Sequence, residues 1–109
     1  VIAKDWGGQA FLAAFNPRAE AENARCALTL ETAAGLRFQV VQIAGLIARR
    51  IVCHAQVGDW VRRGDRYGLI RFGSRTDVLL PLTAVAKVKA RDRVRAGSTI
   101  IAQLERTEG

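Results

Sequence analysis

The chain of 109 residues has no Met, one His, two Cys and two Pro, and only 6% of it is aromatic. Each shortage closes off a class of function. One His and two isolated Cys do not make a metal-ligand set by spacing. No apolar run approaches the roughly 18–20 residues needed to span a bilayer. Residues Val1 to Trp6 lack the charged-then-apolar layout of a secretory signal. Without that signal, Cys26 and Cys53 are read as small buried hydrophobes rather than as a disulfide. The few aromatic residues are unclustered, so there is no base-stacking platform and no nucleic-acid partner is expected. Helix-period patterning is nearly absent from residue 36 onward, which points to a mainly β protein.

What is present is apolar residue and positive charge. Half the residues are apolar, enough for the modest core of one small domain over residues 1–109. The net charge of +7 is unevenly placed. Residues 1–40 balance at four basic and four acidic; 41–76 hold seven Arg against Asp59 and Asp65; 77–109 hold six basic against four acidic. Such a field favours anionic partners such as phosphate head groups or an acidic membrane surface, or is simply a solvated basic face. Within the run from Gly45 to Cys53, Arg49 and Arg50 are either exposed at the end of a buried strand or face a phosphate, a geometry that suits Arg.

Strand signals are clearest in the middle. Val1 to Trp6 reads as a strand broken by Gly7-Gly8, and Arg18 to Arg25 as a short helix or ordered loop. Residues Ala27 to Thr32 alternate, Ala33-Ala34-Gly35 is a turn, and Leu36 to Ile43 return, which predicts a hairpin. An internal repeat follows. Asp59-Trp60-Val61-Arg62-Arg63-Gly64 recurs 33 residues later as Asp92-Arg93-Val94-Arg95-Ala96-Gly97, and each copy precedes an apolar strand. The Asp and Gly suit tight turns, with the Val expected to point inward. Two such units predict a small, quasi-symmetric β-sandwich.

Between Tyr67-Gly68-Leu69-Ile70 and Val78-Leu79-Leu80-Pro81 lies Arg71-Phe72-Gly73-Ser74-Arg75. Gly73-Ser74 is therefore expected at the turn of a central hairpin. From these residues alone two readings stand. One is a plain turn, with Gly supplying the backbone angle and Ser the cap. The other is a site of backbone chemistry, in which the Ser hydroxyl attacks the neighbouring Gly carbonyl, helped by the strain of a tight turn.

The repeat around a hairpin resembles the biotinyl and lipoyl carrier domains, whose flattened barrel (the barrel-sandwich hybrid) presents a modified Lys at the hairpin tip. That tip falls on Ser74 here, and no Lys lies between Lys4 and Lys87, so a carrier role is excluded at that position.

The run Val41-Gln42-Ile43-Ala44-Gly45-Leu46-Ile47-Ala48-Arg49-Arg50-Ile51-Val52-Cys53 resembles phosphatidylserine decarboxylase of the short prokaryotic type. So do Gly58-Asp59 through Gly64, Arg71 through Val78, Phe11 through Phe15, and Glu22-Asn23-Ala24-Arg25. The resemblance implies a proenzyme that cuts its own backbone between Gly73 and Ser74 by attack of the Ser hydroxyl on the Gly carbonyl. Fragments 1–73 and 74–109 would then stay together, and Ser74 would become a pyruvoyl group. That group supplies a carbonyl that takes up the substrate amine and accepts the electrons left when CO2 departs, turning phosphatidylserine into phosphatidylethanolamine. It further implies a role in phospholipid biosynthesis at the cytoplasmic face of the cell membrane, peripherally bound. Arg49, Arg50 and Arg75 would face the lipid phosphate. A homo-oligomer is left open as a further partner.

The family also uses an Asp and a His upstream of the region matched. The single His54 stands where the family carries a non-catalytic residue and is read as a tolerated strand residue. Three explanations follow. The chain is expected to be the C-terminal part of a longer proenzyme; otherwise it is a shortened relative that borrows the missing residues from a partner, or a pseudoenzyme that keeps only the fold. The alternative function is a non-catalytic β-sandwich module binding anionic lipid or another acidic partner.

Overall fold

The computed structural model describes residues 1–8, 23–45, 51–70 and 74–104. These form eight strands, and no helix occurs among the described residues: β1 (Ala3–Gly7), β2 (Arg25–Glu31), β3 (Arg37–Ile43), β4 (Ile51–Cys53), β5 (Gly68–Ile70), β6 (Arg75–Leu79), β7 (Val85–Ala86) and β8 (Ala102–Gln103). The chain is mainly β, as its patterning predicts. No helix among the described residues is long and apolar enough to cross a membrane.

The expected hairpin is β2–β3, in antiparallel register from Arg25↔Ile43 to Glu31↔Arg37. Alternation dictates its inner face: Cys26 and Leu28 are buried, while Arg25, Ala27 and Thr29 are only partly covered. Its turn closes through two backbone bonds, Thr32 N–H to the Leu36 carbonyl at 2.8 Å and Gly35 N–H to the Thr32 carbonyl at 2.9 Å. Gly35 sits at φ +82°, the left-handed conformation that this short loop demands and that Gly adopts without a Cβ penalty. Around the hairpin, β1 pairs with the outer edge of β2 and β6 with the outer edge of β3, giving an antiparallel sheet in the order β1-β2-β3-β6.

The central turn expected at Gly73-Ser74 falls largely on residues 71–73, outside the described residues, but the described strands beside it do not pair with each other. The strands on either side of it belong to different sheets: β5 pairs back with β4 (Ile51↔Ile70, Cys53↔Gly68), and β6 pairs with β3 (Ile43↔Arg75 to Gln39↔Leu79). Two adjacent apolar runs predict two strands but not their partners, and here each finds a partner earlier in the chain.

Both copies of the repeat are built alike. In the first, Gln56 N–H donates to Asp59 Oδ2 at 2.8 Å, and Asp59 N–H to the Gln56 carbonyl at 3.0 Å. In the second, Lys89 N–H donates to Asp92 Oδ2 at 2.9 Å, and Asp92 N–H to the Lys89 carbonyl at 3.1 Å. A second turn follows in each, opened by Arg62 and Arg95, whose N–H groups donate to Asp65 Oδ2 and Thr99 Oγ1 at 2.8 Å. Left-handed residues recur at matching places, Gly58 and Arg91, then Gly64 and Gly97. Each copy thus joins a short antiparallel pair, β4–β5 and β7–β8. The Val of the motif does not point inward as expected: Val61 and Val94 are 39% and 54% exposed, because both lie between the two turns of a loop that carries no inner face.

The core lies between β2 and β4. Cys26, Leu28, Cys53 and Ala55 are buried together, with Val1, Leu30, Ile51 and Tyr67 packed against them. Both thiols are free, as read from the sequence. Burial, with a hydrogen bond and charge coupling to Cys53, pushes the Cys26 thiol from 9.0 up to about 12. Burial also raises the Tyr67 hydroxyl, assisted by the two cysteines. Gly68, opposite Cys53, permits this packing: a Cβ there would stand 2.0 Å from the Val52 carbonyl oxygen.

Candidate active site

Ser74 is half-buried and immediately precedes β6. The β3–β6 ladder ends at Ile43↔Arg75, so Ala44 and Ser74 are the next residues beyond its last pair. Alternation fails at this end of β3. Val41, Gln42 and Ile43 are all buried, so both faces of the strand are covered where it approaches Ser74.

Four polar side chains shape the surroundings. Asn23 is fully buried, and its Nδ2 donates to the Ala44 carbonyl at 2.6 Å. Ala44 N–H in turn donates to the Ala24 carbonyl at 2.9 Å, so the residue after β3 is held from both its polar groups. Gly8, at φ +74°, packs against Asn23 so closely that a Cβ would stand 1.8 Å from the Asn23 carbonyl oxygen. Gln42 is 3% exposed, and its Oε1 has no hydrogen-bond partner among the described residues, in the strand position that pairs with Thr76. Finally, Arg75 and Asp77 share one face of β6, two residues apart. Arg75 Nε donates to Asp77 Oδ1 at 2.9 Å and Nη2 to Oδ2 at 3.1 Å, a two-pronged ion pair.

Of the residues singled out in the sequence, Ser74 and Arg75 are thus adjacent at the start of β6, with the Arg75 guanidinium engaged by Asp77. Gly73, Arg49 and Arg50 lie outside the described residues, as do most of the runs expected over Phe11–Phe15 and Arg18–Arg25. His54 is exposed beside β4, in a cavity of about 310 Å³ shared with Asp59, Trp60, Asp65, Arg66 and Tyr67, and not with Ser74. Sequence reasoning missed Asn23, Gln42 and Asp77. The signal for Gln42 was a lone amide inside Val40-Val41-Gln42-Ile43-Ala44, where a polar residue flanked by apolar ones on both sides is buried with them.

Residues 4–102 match the phosphatidylserine decarboxylase family. The chain belongs to that family. It is 54% identical over 96 residues to the phosphatidylserine decarboxylase proenzymes of Burkholderia ambifaria and Burkholderia vietnamiensis, and 53% identical to that of Burkholderia lata. Each match covers 88% of this chain and 45% of the relative, so the chain spans less than half the length of these curated relatives. No solved structure matches it. Within the decarboxylase family match fall Ser74, Asn23, Gln42 and the Arg75–Asp77 pair.

Proposed function

We propose that this chain carries the self-cleaving, pyruvoyl-forming part of a phosphatidylserine decarboxylase, a carboxy-lyase that yields phosphatidylethanolamine and CO2. The observation that carries the reading is where Ser74 stands in the sheet. The bond to its nitrogen joins β5, paired with β4, to β6, paired with β3. A cut between Gly73 and Ser74 falls just before β6 and leaves the β3–β6 ladder whole. The fragments 1–73 and 74–109 then stay together through the five residue pairs of β3–β6. Cutting inside a ladder would instead cost paired backbone groups.

The residues fit the group that the family implies. Its precursor, Ser74, is half-buried at the strand start, next to a covered strand end. A pyruvoyl group there supplies an electrophilic carbonyl that no ordinary side chain offers. This chain's own residues do the rest. Asn23 fixes the Ala44 backbone beside Ser74, and the Asp77 carboxylate fixes Arg75, so the residue after Ser74 is anchored in β6 before and after cleavage. Arg49 and Arg50 are assigned to the lipid phosphate. Arg75 is assigned with them, beside its two-pronged bond to Asp77. The enzyme works peripherally, at the cytoplasmic face of the cell membrane. The equivalent turns of the two repeat hairpins support a barrel-sandwich hybrid, in which β4–β5 and β7–β8 are the duplicated halves.

Intact mass under denaturing conditions tests the reading, with Ser74→Ala as control. The expected result is two pieces matching residues 1–73 and 74–109 in the wild type, the second beginning with a pyruvoyl group, and a whole control. If the wild type stays whole alongside the control, also after the remainder of a full-length relative is added back, the reading fails and a non-catalytic module takes its place.

A further inference from the structure

The internal repeat offers a comparison within one molecule: two loops of the same construction that differ in charge. From Gln56 to Arg66 the first loop holds three Arg against Asp59 and Asp65. From Lys87 to Arg95 the second holds two Lys and three Arg against Asp92 alone, a net +4 in nine residues. Every residue from Lys89 to Ile100 is exposed. The hairpin also presents aliphatic side chains beside these cations, with Val94 between Arg93 and Arg95, Ile100 69% exposed, and Leu82 fully exposed just before β7. Arg91 adds an independent sign. It is the non-glycine residue at positive φ among the described residues, at 72°, where the first copy has Gly58. A cation kept where the backbone favours Gly points to a use for the charge.

We infer that the β7–β8 hairpin is the surface by which this protein docks on an anionic lipid bilayer. Cations interleaved with aliphatic side chains match the boundary between charged head groups and acyl chains. A nucleic acid fits less well, because residues 82–104 contain no aromatic side chain on which a base would stack. A two-stranded hairpin is also marginally stable alone in water, so a supporting surface suits it. The choice of bilayer over other polyanions rests on the proposed phospholipid activity.

The test is flotation of the full chain with vesicles of phosphatidylcholine, and with vesicles of phosphatidylcholine and phosphatidylglycerol, an anionic lipid without a serine amine. Two triple variants each remove three charges and leave the turn backbone bonds in place: Lys89→Gln/Arg93→Gln/Arg95→Gln, and Arg62→Gln/Arg63→Gln/Arg66→Gln in the first loop. The wild type is expected to float only with anionic vesicles and to be released by salt. The second-loop variant is expected to lose roughly a hundredfold in partitioning, and the first-loop variant less than about fivefold. Equal losses in the two variants, no loss in the second-loop variant, or equal binding to neutral vesicles overturns the inference. Circular dichroism checks folding, and intact mass on the same samples separates the two readings. A chain cut at Gly73-Ser74 that does not float refutes docking and leaves the proposed activity standing. A chain that floats through the hairpin yet stays uncut, also with the remainder of a full-length relative added back, keeps docking and removes the activity.

Discussion

Asn23→Ala is the sharpest probe of the platform beside Ser74. The side chain is fully buried, and its Nδ2 reaches the Ala44 carbonyl at 2.6 Å. Ala44 is itself fully buried, so water cannot take over the bond. Leaving a buried acceptor without a donor costs about 1–3 kcal/mol. The missing amide adds a small cavity, worth about 1 kcal/mol at the measured cost per unit of void. The expected loss is therefore about 2–4 kcal/mol, a large share of the ~5–15 kcal/mol that holds a domain together. Urea unfolding should be followed in a Ser74→Ala background, so that one uncut chain unfolds. With a slope of about 2 kcal/mol per molar, the midpoint should fall by about 1–2 M. A fall below about 0.3 M would refute the argument, since the bond would then not be holding the end of β3.

Gly68→Ala should cost more than about 3 kcal/mol and leave little soluble protein, because its Cβ would meet the Val52 carbonyl at 2.0 Å in a rigid ladder; solubility and thermal unfolding report it. Arg91→Gly should instead stabilise by about 0.5–1 kcal/mol, by relieving the φ of 72°, and raise the melting temperature. Cys26 binds its proton more tightly folded than unfolded, so its contribution to stability is complete below pH 9 and drains away as pH rises towards about 12. Native Cys26 should accordingly react with a thiol reagent at pH 8 only as fast as the protein opens, and Cys26→Ala should flatten the alkaline limb of the stability curve, read by denaturant midpoints across pH. Asp77→Asn should cost about 1 kcal/mol by weakening a half-buried ion pair, read as a lower denaturant midpoint.

These effects also show which parts of the molecule were legible in the residues and why. Local chemistry was. Alternation over Ala27–Thr32 with Gly35 behind it specifies β2–β3, since one short loop brings the strands together and fixes their register. The Asp of each repeat specifies its own turn, because the bond it accepts lies three residues away. Partnership across the chain was not legible. Gly73-Ser74 between two apolar runs looks like a hairpin, yet Ile70 pairs with Ile51 and Arg75 with Ile43, choices made by edges that distant strands leave open. The same limit hid the platform beside Ser74. Asn23 sits in Ala21-Glu22-Asn23-Ala24-Arg25, a stretch that reads as polar, yet Gly8 and Ala44, distant in sequence, come close to it in the fold. Position in the ladder, rather than the Gly-Ser pair, distinguishes Ser74 from any turn serine. A serine placed just before β6 can lose the bond before it while β6 keeps all five of its residue pairs with β3.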